Sequence, residues 1–188
     1  MTTPQSDARL LSIQVARPIA LRHMDREVRT GIFKRPVEGP VMVRSLNLDG
    51  DEQGDLTVHG GVDKAVYCYA SEHYAPWQEE LQRELPYGTF GENLTVSGLF
   101  EDQLHVGDVL EVGDAVLQVV QPRYPCYKLG IKMGDQRFVK RFQESGRSGF
   151  YCRVLQEGLI DSGQAIKLAD RDETQPTIAD MVAARDSA

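Results

Sequence analysis

Over most of this chain apolar residues alternate with polar ones at the period of two that a half-buried β-strand requires. Residues 10–16 place Leu11, Ile13 and Val15 on one side. Residues 28–34 and 37–46 read as two further strands, punctuated by Pro36 and by Gly39-Pro40. Residues 66–70 and 94–96 are strand-like as well. The clearest signal lies in residues 106–120, where apolar positions alternate on both sides of Gly113-Asp114. A two-residue turn of that type fits the twist of paired strands and predicts a β-hairpin. Residues 150–155 and 164–168 are expected to form a last strand pair across the turn at 158–163.

Helical spacing intrudes in only a few places. Ser71 reads as the N-cap of a helix running to about Glu84, with Trp77, Leu81 and Leu85 at spacings of four, a lid over one end of the sheet. Residues 127–133 make a short helical element, Asp135 caps a helix carrying Phe138 and Phe142 on one side, and Thr177 caps a short helix near the end. Many short strands separated by Gly/Pro turns, with helices only as insertions, predict a mainly β fold: a closed or nearly closed β-barrel. The regular strand–helix alternation of a doubly wound α/β fold is missing. The expected organisation is a flexible N-terminus over 1–9, one β-barrel domain over 10–170, and a short helical tail over 171–188.

Composition narrows the classes. A length of 188 residues, 41% hydrophobic and 26% charged, is ordinary for a globular chain with its own core. There is no apolar run near the ~18 residues of a membrane span, nor a basic flank followed by an apolar core at the N-terminus, so a cytoplasmic protein without membrane contact is expected. Cys68, Cys126 and Cys152 are odd in number and form no Cys-x-x-Cys, which fits neither a disulfide framework nor a zinc site. A net charge of -7 argues against a general nucleic-acid binder. Yet residues 121–153 carry Arg123, Lys128, Lys132, Arg137, Lys140, Arg141, Arg147 and Arg153 against Asp135 and Glu144 alone. That local basic zone points to a small anionic ligand such as a phosphate, although about half of these cations should be solvated on a helix face.

The candidate chemistry sits inside the basic zone. Pro122 lacks the N–H that a continuing strand ladder would use, so the chain must leave the sheet there. Pro122 and Pro125 bracket Arg123 and Tyr124 and stiffen the backbone, so Cys126 arrives at the end of a short arm with Arg123 and Lys128 on either side. Neighbouring cations favour the thiolate, the nucleophilic and metal-binding form. A small buried hydrophobe at a strand end has the same local look, and both readings stand at this point. Two further stretches depart from routine. In residues 59–61, His59 is followed by Gly60 and Gly61, whose missing side chains open backbone N–H groups to a ligand, with Lys64 close behind; a plain turn would look the same. The glycine-punctuated loop over 88–93 brings Thr89, Glu92 and Asn93, side chains suited to a heterocycle.

Taken together and in this order, the His-Gly-Gly turn at 59–61 with Asp-Lys-Ala at 63–65, Gly-Thr-Phe-Gly-Glu-Asn at 88–93, the Gly-Asp hairpin, and Pro-Arg-Tyr-Pro-Cys at 122–126 resemble the MOSC domain. That module is named for the C-terminal part of molybdenum-cofactor sulfurases, and its stand-alone bacterial members are nearest in layout. The resemblance covers roughly residues 12–170. It implies a β-rich fold, a molybdenum cofactor of the molybdopterin type, and Cys126 as the metal ligand. By the same match, His59, Gly60, Gly61, Lys64, Thr89, Glu92, Asn93 and Arg123 would hold the pterin and its phosphate, with His59 also moving a proton. Bacterial members similar in layout reduce N-hydroxylated bases with electrons from a separate reductase, and many continue into a small C-terminal helical domain; here about twenty residues follow the barrel. The expectation is therefore a molybdenum-dependent enzyme acting on a small N-hydroxylated substrate, with an electron-donating reductase as partner. A sulfur-handling or cofactor-carrying module using the same cysteine is the alternative, and a plain Cys126–His59 nucleophilic enzyme is a third reading.

Overall fold

A computed structural model describes residues 8–52 and 60–187. In chain order the strands are β1 (Arg9–Val15), β2 (Ile19–His23), β3 (Arg26–Thr30), β4 (Arg35–Val37), β5 (Val41–Val43), β6 (Val66–Ala70), β7 (Leu94–Ser97), β8 (Val109–Val112), β9 (Ala115–Pro122), β10 (Phe150–Gln156), β11 (Gly158–Ile160) and β12 (Ile166–Asp170). The helices are α1 (Tyr74–Leu81), α2 (Tyr127–Met133), α3 (Arg137–Glu144) and α4 (Ile178–Asp186). None is long and apolar enough to cross a membrane.

Eight strands form one sheet in the order β12-β8-β9-β10-β6-β7-β1-β4; β11 with β5, and β2 with β3, make two small ladders. The expected barrel does not close. Its nearest approach to closure is between β1 and the residues leading into β12, where the Leu10 amide donates to the Gln164 carbonyl (2.9 Å) and the Ile166 amide to the Ala8 carbonyl (2.8 Å). Farther along β1 the same edge is taken by β4, paired through Ile13↔Val37 and Val15↔Arg35, so β12 and β4 stay as separate ends.

The sheet is covered on both faces. Along β6, Val66 and Cys68 join a cluster with Leu10, Ile13, Leu94 and Leu117, while Tyr67 and Tyr69 join an aromatic cluster with Tyr74, Trp77, Phe90, Phe138 and Phe142. The second cluster is where α1 and α3 pack, because Trp77 of α1 and Phe138 and Phe142 of α3 are almost wholly buried. At 25–30 cal/mol per Å² of apolar area, large side chains of this kind supply most of what holds the helices to the sheet.

Several expected elements shift. The hairpin over 106–120 forms as β8 and β9 with Val112↔Ala115 closing it, and the short helix over 127–133 is α2. Ser71 does not cap α1: its hydroxyl goes to the Glu72 carboxylate, a 3₁₀ turn covers 71–73, and the helix stops at Gln82, which has φ +51°. The expected strand at 28–34 is β3, ending at Thr30, and of 37–46 only Val37, as the end of β4, and Val41–Val43, as β5, are in strands. The unforeseen β2 turns into β3 through Met24 at φ +52°, a turn with no glycine to announce it. The expected pairing of 150–155 with 164–168 does not occur. Both edges of β10 are taken by β9 and β6, so β12 pairs with β8 instead, and the intervening β11 pairs with β5.

Candidate functional site

β9 ends at Pro122, whose register partner is Phe150 of β10. The chain then leaves the sheet for the four residues 123–126, and α2 begins at Tyr127 with Cys126 as its extended N-cap residue (φ -128°, ψ 174°). The stiff arm expected from the two prolines is thus a strand-to-helix link that sets Cys126 at the mouth of α2. Cys126 is partly exposed, whereas Cys68 and Cys152 are buried, and no disulfide joins any of them. Burial drives the Cys152 thiol well up, with the neighbouring Cys68 thiol adding to the shift, so Cys152 stays protonated and inert.

Cys126 lines a cavity of about 120 Å³ together with Arg123, Tyr124, Lys128, Tyr67 and Tyr151. The rest of the wall comes from Thr30, Gly31, Ile32, Lys34, Glu52 and Gly91. Arg123 is 6% exposed. Its guanidinium lies 5.3 Å from the ring centres of both Tyr67 and Phe142, a cation–π clamp from two sides. The buried Nη1 of Arg123 has no hydrogen-bond partner among the described residues. A buried guanidinium N–H left in that state costs roughly 1–3 kcal/mol, so a partner from outside the chain would recover it. Lys34, also on the wall, is neutralised by Asp51 at 2.5 Å. Burial raises the Tyr67 and Tyr151 phenols, against the pull of the Arg123 charge, and keeps both protonated at neutral pH. The Tyr67 hydroxyl donates to the Ser148 carbonyl at 2.8 Å.

Of the remaining cations in the basic zone, Arg137, Lys140, Arg141 and Arg153 face Asp135, Glu144, Glu80 and Asp63 in ion pairs. Lys132 does something the sequence did not announce. Its ammonium donates to the carbonyls of Ile32 (2.8 Å) and Gly88, tying α2 to the cavity wall at Ile32 and to the loop over 88–93. Burial pulls its pKa down to about 8, against the upward pull of Glu92. Its place one turn after Lys128 on α2 was the signal available beforehand.

The loop over 88–93 turns its polar side chains inward. Glu92 accepts from the Tyr74 hydroxyl, the amides of Gly88 (2.8 Å) and Phe90 (3.1 Å), and the Thr95 hydroxyl (3.1 Å). Asn93 accepts from the Tyr67 amide (3.0 Å) and donates to Asp51 (2.9 Å), and the Thr89 hydroxyl donates to the Pro86 carbonyl (2.6 Å). Only Gly91 of this loop lines the cavity. A Cβ there would stand 2.8 Å from Ile32 Cγ1, so the glycine lets the two walls approach. His59 lies outside the described residues. Gly60 and Gly61 lead into a 3₁₀ turn, Val62–Lys64, held by the Lys64 amide on the Gly61 carbonyl (3.1 Å). Gly60, Gly61 and Lys64 are not on the cavity wall that the described residues form.

The structure therefore brings Arg123 and Cys126 together and adds Tyr67, Tyr151, Lys128 and Gly91. Tyr67 gave no signal in the sequence because β6 is buried on both faces and shows no alternation.

A family model described as the MOSC domain matches residues 55–167. The chain is 46% identical over 164 residues to "Uncharacterized protein YflK" of Bacillus subtilis, covering 87% of this chain and 74% of that one. It is 36% identical over 149 residues to a protein named "Reductase" from Gibberella moniliformis, covering 77% of this chain but only 26% of that one. Among solved structures, YiiM from Geobacillus stearothermophilus superposes with a TM-score of 0.78 at 37% identity, covering 95% of this chain and 83% of that one.

Proposed function

Because the chain belongs to the MOSC-domain family, we propose that it is a molybdenum-cofactor-dependent reductase of small N-hydroxylated compounds, supplied with electrons by a separate reductase. The observation that carries this reading is Arg123: a buried guanidinium with an unpartnered Nη1, on the wall of the same cavity as the Cys126 thiol. A thiol and a guanidinium whose Nη1 is unpartnered are the two groups a metal-bearing, phosphate-bearing ligand would use, the soft donor for the metal and the fork for the phosphate. Among the described residues no three His, Cys, Asp or Glu side chains converge on one point. A metal held at Cys126 would thus bring most of its ligands with it, as a cofactor-borne metal does. The cavity, at about 120 Å³, is smaller than the ~300–1,000 Å³ of a whole small-molecule pocket and suits the end group of a larger ligand. The reductase from Gibberella moniliformis is a relative whose name accords with the proposed activity.

When bound, the cofactor supplies two-electron redox chemistry at its metal. The net change is R–NHOH + 2 e⁻ + 2 H⁺ → R–NH₂ + H₂O, with the donor oxidised by two electrons. Cys126 would hold the metal, and Arg123 and Lys128 would meet the phosphate. Tyr67 and Tyr151, their phenols raised by burial, serve as fixed walls and not as bases. His59, outside the described residues, is the proposed proton carrier, since an imidazole titrates in the working range.

The test is metal analysis of protein made in a host that synthesises the cofactor, followed by turnover of an N-hydroxylated base with an artificial donor. Molybdenum should copurify with the wild type and be lost in Cys126→Ser. Equal metal in the two, or none in the wild type, defeats the reading. Metal without turnover would assign the site to cofactor or sulfur carriage instead.

A further inference from the structure

A second basic surface, on residues 17–35, is not used by the chemistry above. β2 and β3 pair only with each other, from Ile19↔Thr30 to His23↔Arg26. Val28 and Thr30 are buried, so the alternating pairs Ala20↔Arg29 and Arg22↔Glu27 face outward. Arg17, Arg22, Arg26, Arg29 and Arg35 are all exposed. Arg22 approaches Asp25 only to 3.9 Å, with both side chains almost fully in water, which screens the pair. Arg17, Arg26, Arg29 and Arg35 enter no ion pair or side-chain hydrogen bond with a described residue.

This hairpin adjoins the Cys126 cavity at both its ends. β3 runs directly into Thr30, Gly31 and Ile32 of the cavity wall. Near the tip, the His23 ring stacks on Tyr127, the residue after Cys126, with centroids 6.2 Å apart. Ile19, Met24 and Tyr127 on this rim are 48%, 83% and 47% exposed, an apolar supplement among the arginines. Arg, Met and Tyr are the side chains enriched where proteins meet proteins.

We infer that the β2–β3 hairpin is the docking surface for an acidic electron-carrier protein that reduces the neighbouring Cys126 site. The inference rests on the reductase reading, which needs two electrons per substrate from a partner carrying a reduced flavin or iron–sulfur centre. Charge decides the class of partner. The chain as a whole is at -7, so an extended polyanion such as a nucleic acid is repelled over most of its length. A compact protein presents its acidic patch to the hairpin alone, because screening limits each charge to about 8–10 Å at ordinary salt. Attraction confined to one rim steers encounter to the cavity mouth.

The experiment uses the full, cofactor-loaded chain, an acidic plant-type ferredoxin as protein donor, and a small reduced viologen as the donor that needs no docking. Reversing Arg22 and Arg29 together (Arg22→Glu with Arg29→Glu) should lower ferredoxin-driven reduction about tenfold at low salt, the size expected for removing steering by two rim charges. Raising salt should bring the wild type down towards the variant, while viologen-driven turnover stays equal in both. Equal ferredoxin-driven rates overturn the inference, and so does a matching loss of the viologen-driven rate. If the wild type turns over with neither donor, the reductase reading fails by itself; docking is then read from titration with oxidised ferredoxin and, separately, with a short DNA duplex. Salt-sensitive ferredoxin binding lost in the variant upholds the surface. No ferredoxin binding, or tighter binding of the duplex, rejects it.

Discussion

Glu92 has no exposed surface, and its carboxylate gathers the hydroxyls of Tyr74 and Thr95 and the amides of Gly88 and Phe90. Burial pushes its pKa up, while those donors and the Lys132 charge pull it back. In the sequence it looked like a side chain that would face a heterocycle; in the fold it is the knot of its own loop. Glu92→Leu leaves buried donors without an acceptor and should cost roughly 3–5 kcal/mol of stability, measured by urea denaturation, since removing one member of a buried charged network does that. A variant that kept its stability and lost only ligand would contradict this. Arg123 is the opposite case. Its guanidinium is clamped by rings but has a hydrogen-bonding site to spare, so the fold gains little from its charge. Arg123→Met should therefore keep or slightly raise Tm while lowering cofactor content about 10–100-fold, the usual scale for losing a supporting contact at a metal site.

At the scale of elements, α2 and the arm before it are positioned by contacts at both ends. Lys132 fastens α2 to Ile32 of the cavity wall and to Gly88 of the 88–93 loop. The arm is held from the other side by α4: the Tyr124 hydroxyl donates to the Met181 carbonyl at 3.4 Å, and the Arg185 guanidinium lies 3.8 Å over the Tyr124 ring. The start of α4 is a capping box in which the Thr177 hydroxyl accepts from the Asp180 amide (3.1 Å) and the Asp180 carboxylate accepts from the Thr177 amide (2.9 Å). Thr177→Ala should remove about 1 kcal/mol of stability, read from the denaturation midpoint. Thr177 was legible as a cap because the signal is local: a hydroxyl, a helical stretch and an acid three positions on. Ser71 carried a similar signal and failed, since a neighbouring Glu72 took its hydroxyl and a 3₁₀ turn took its place.

For the whole molecule, the informative variable is pH. Burial holds the Lys132 pKa at about 8 against 10.5 in the unfolded chain. Below about pH 8 both states carry the proton and the burial penalty is present in full. Between there and the unfolded value the unfolded state binds more protons, so stability rises with pH. Cys152 and the buried tyrosines, raised by burial, act in the opposite direction at higher pH, and they are common to wild type and variant. The difference in unfolding free energy between wild type and Lys132→Met should thus shift in favour of the wild type by about 1–3 kcal/mol from pH 8 to 10. Parallel stability curves for the two proteins would refute it.

The sequence alone determined what depends on near neighbours. The β8–β9 hairpin follows from Gly113-Asp114 between alternating runs, α2 and α3 from their spacing, and the exit from the sheet from Pro122, because turn chemistry, periodicity and a missing N–H act within a few residues. It also marked Arg123 and Cys126, whose side chains meet at one cavity because only three positions separate them. Only the tertiary structure decided which strands pair and which polar side chains are spent. β12 goes to β8 because β9 and β6 already occupy both edges of β10, a competition among segments far apart in the chain. Glu92 and Asn93 turn inward because Tyr74 and Asp51, which they meet there, arrive by packing of segments far apart in the chain. Hydrogen-bond partners of that kind are fixed by the fold as a whole, and no short stretch of sequence carries them.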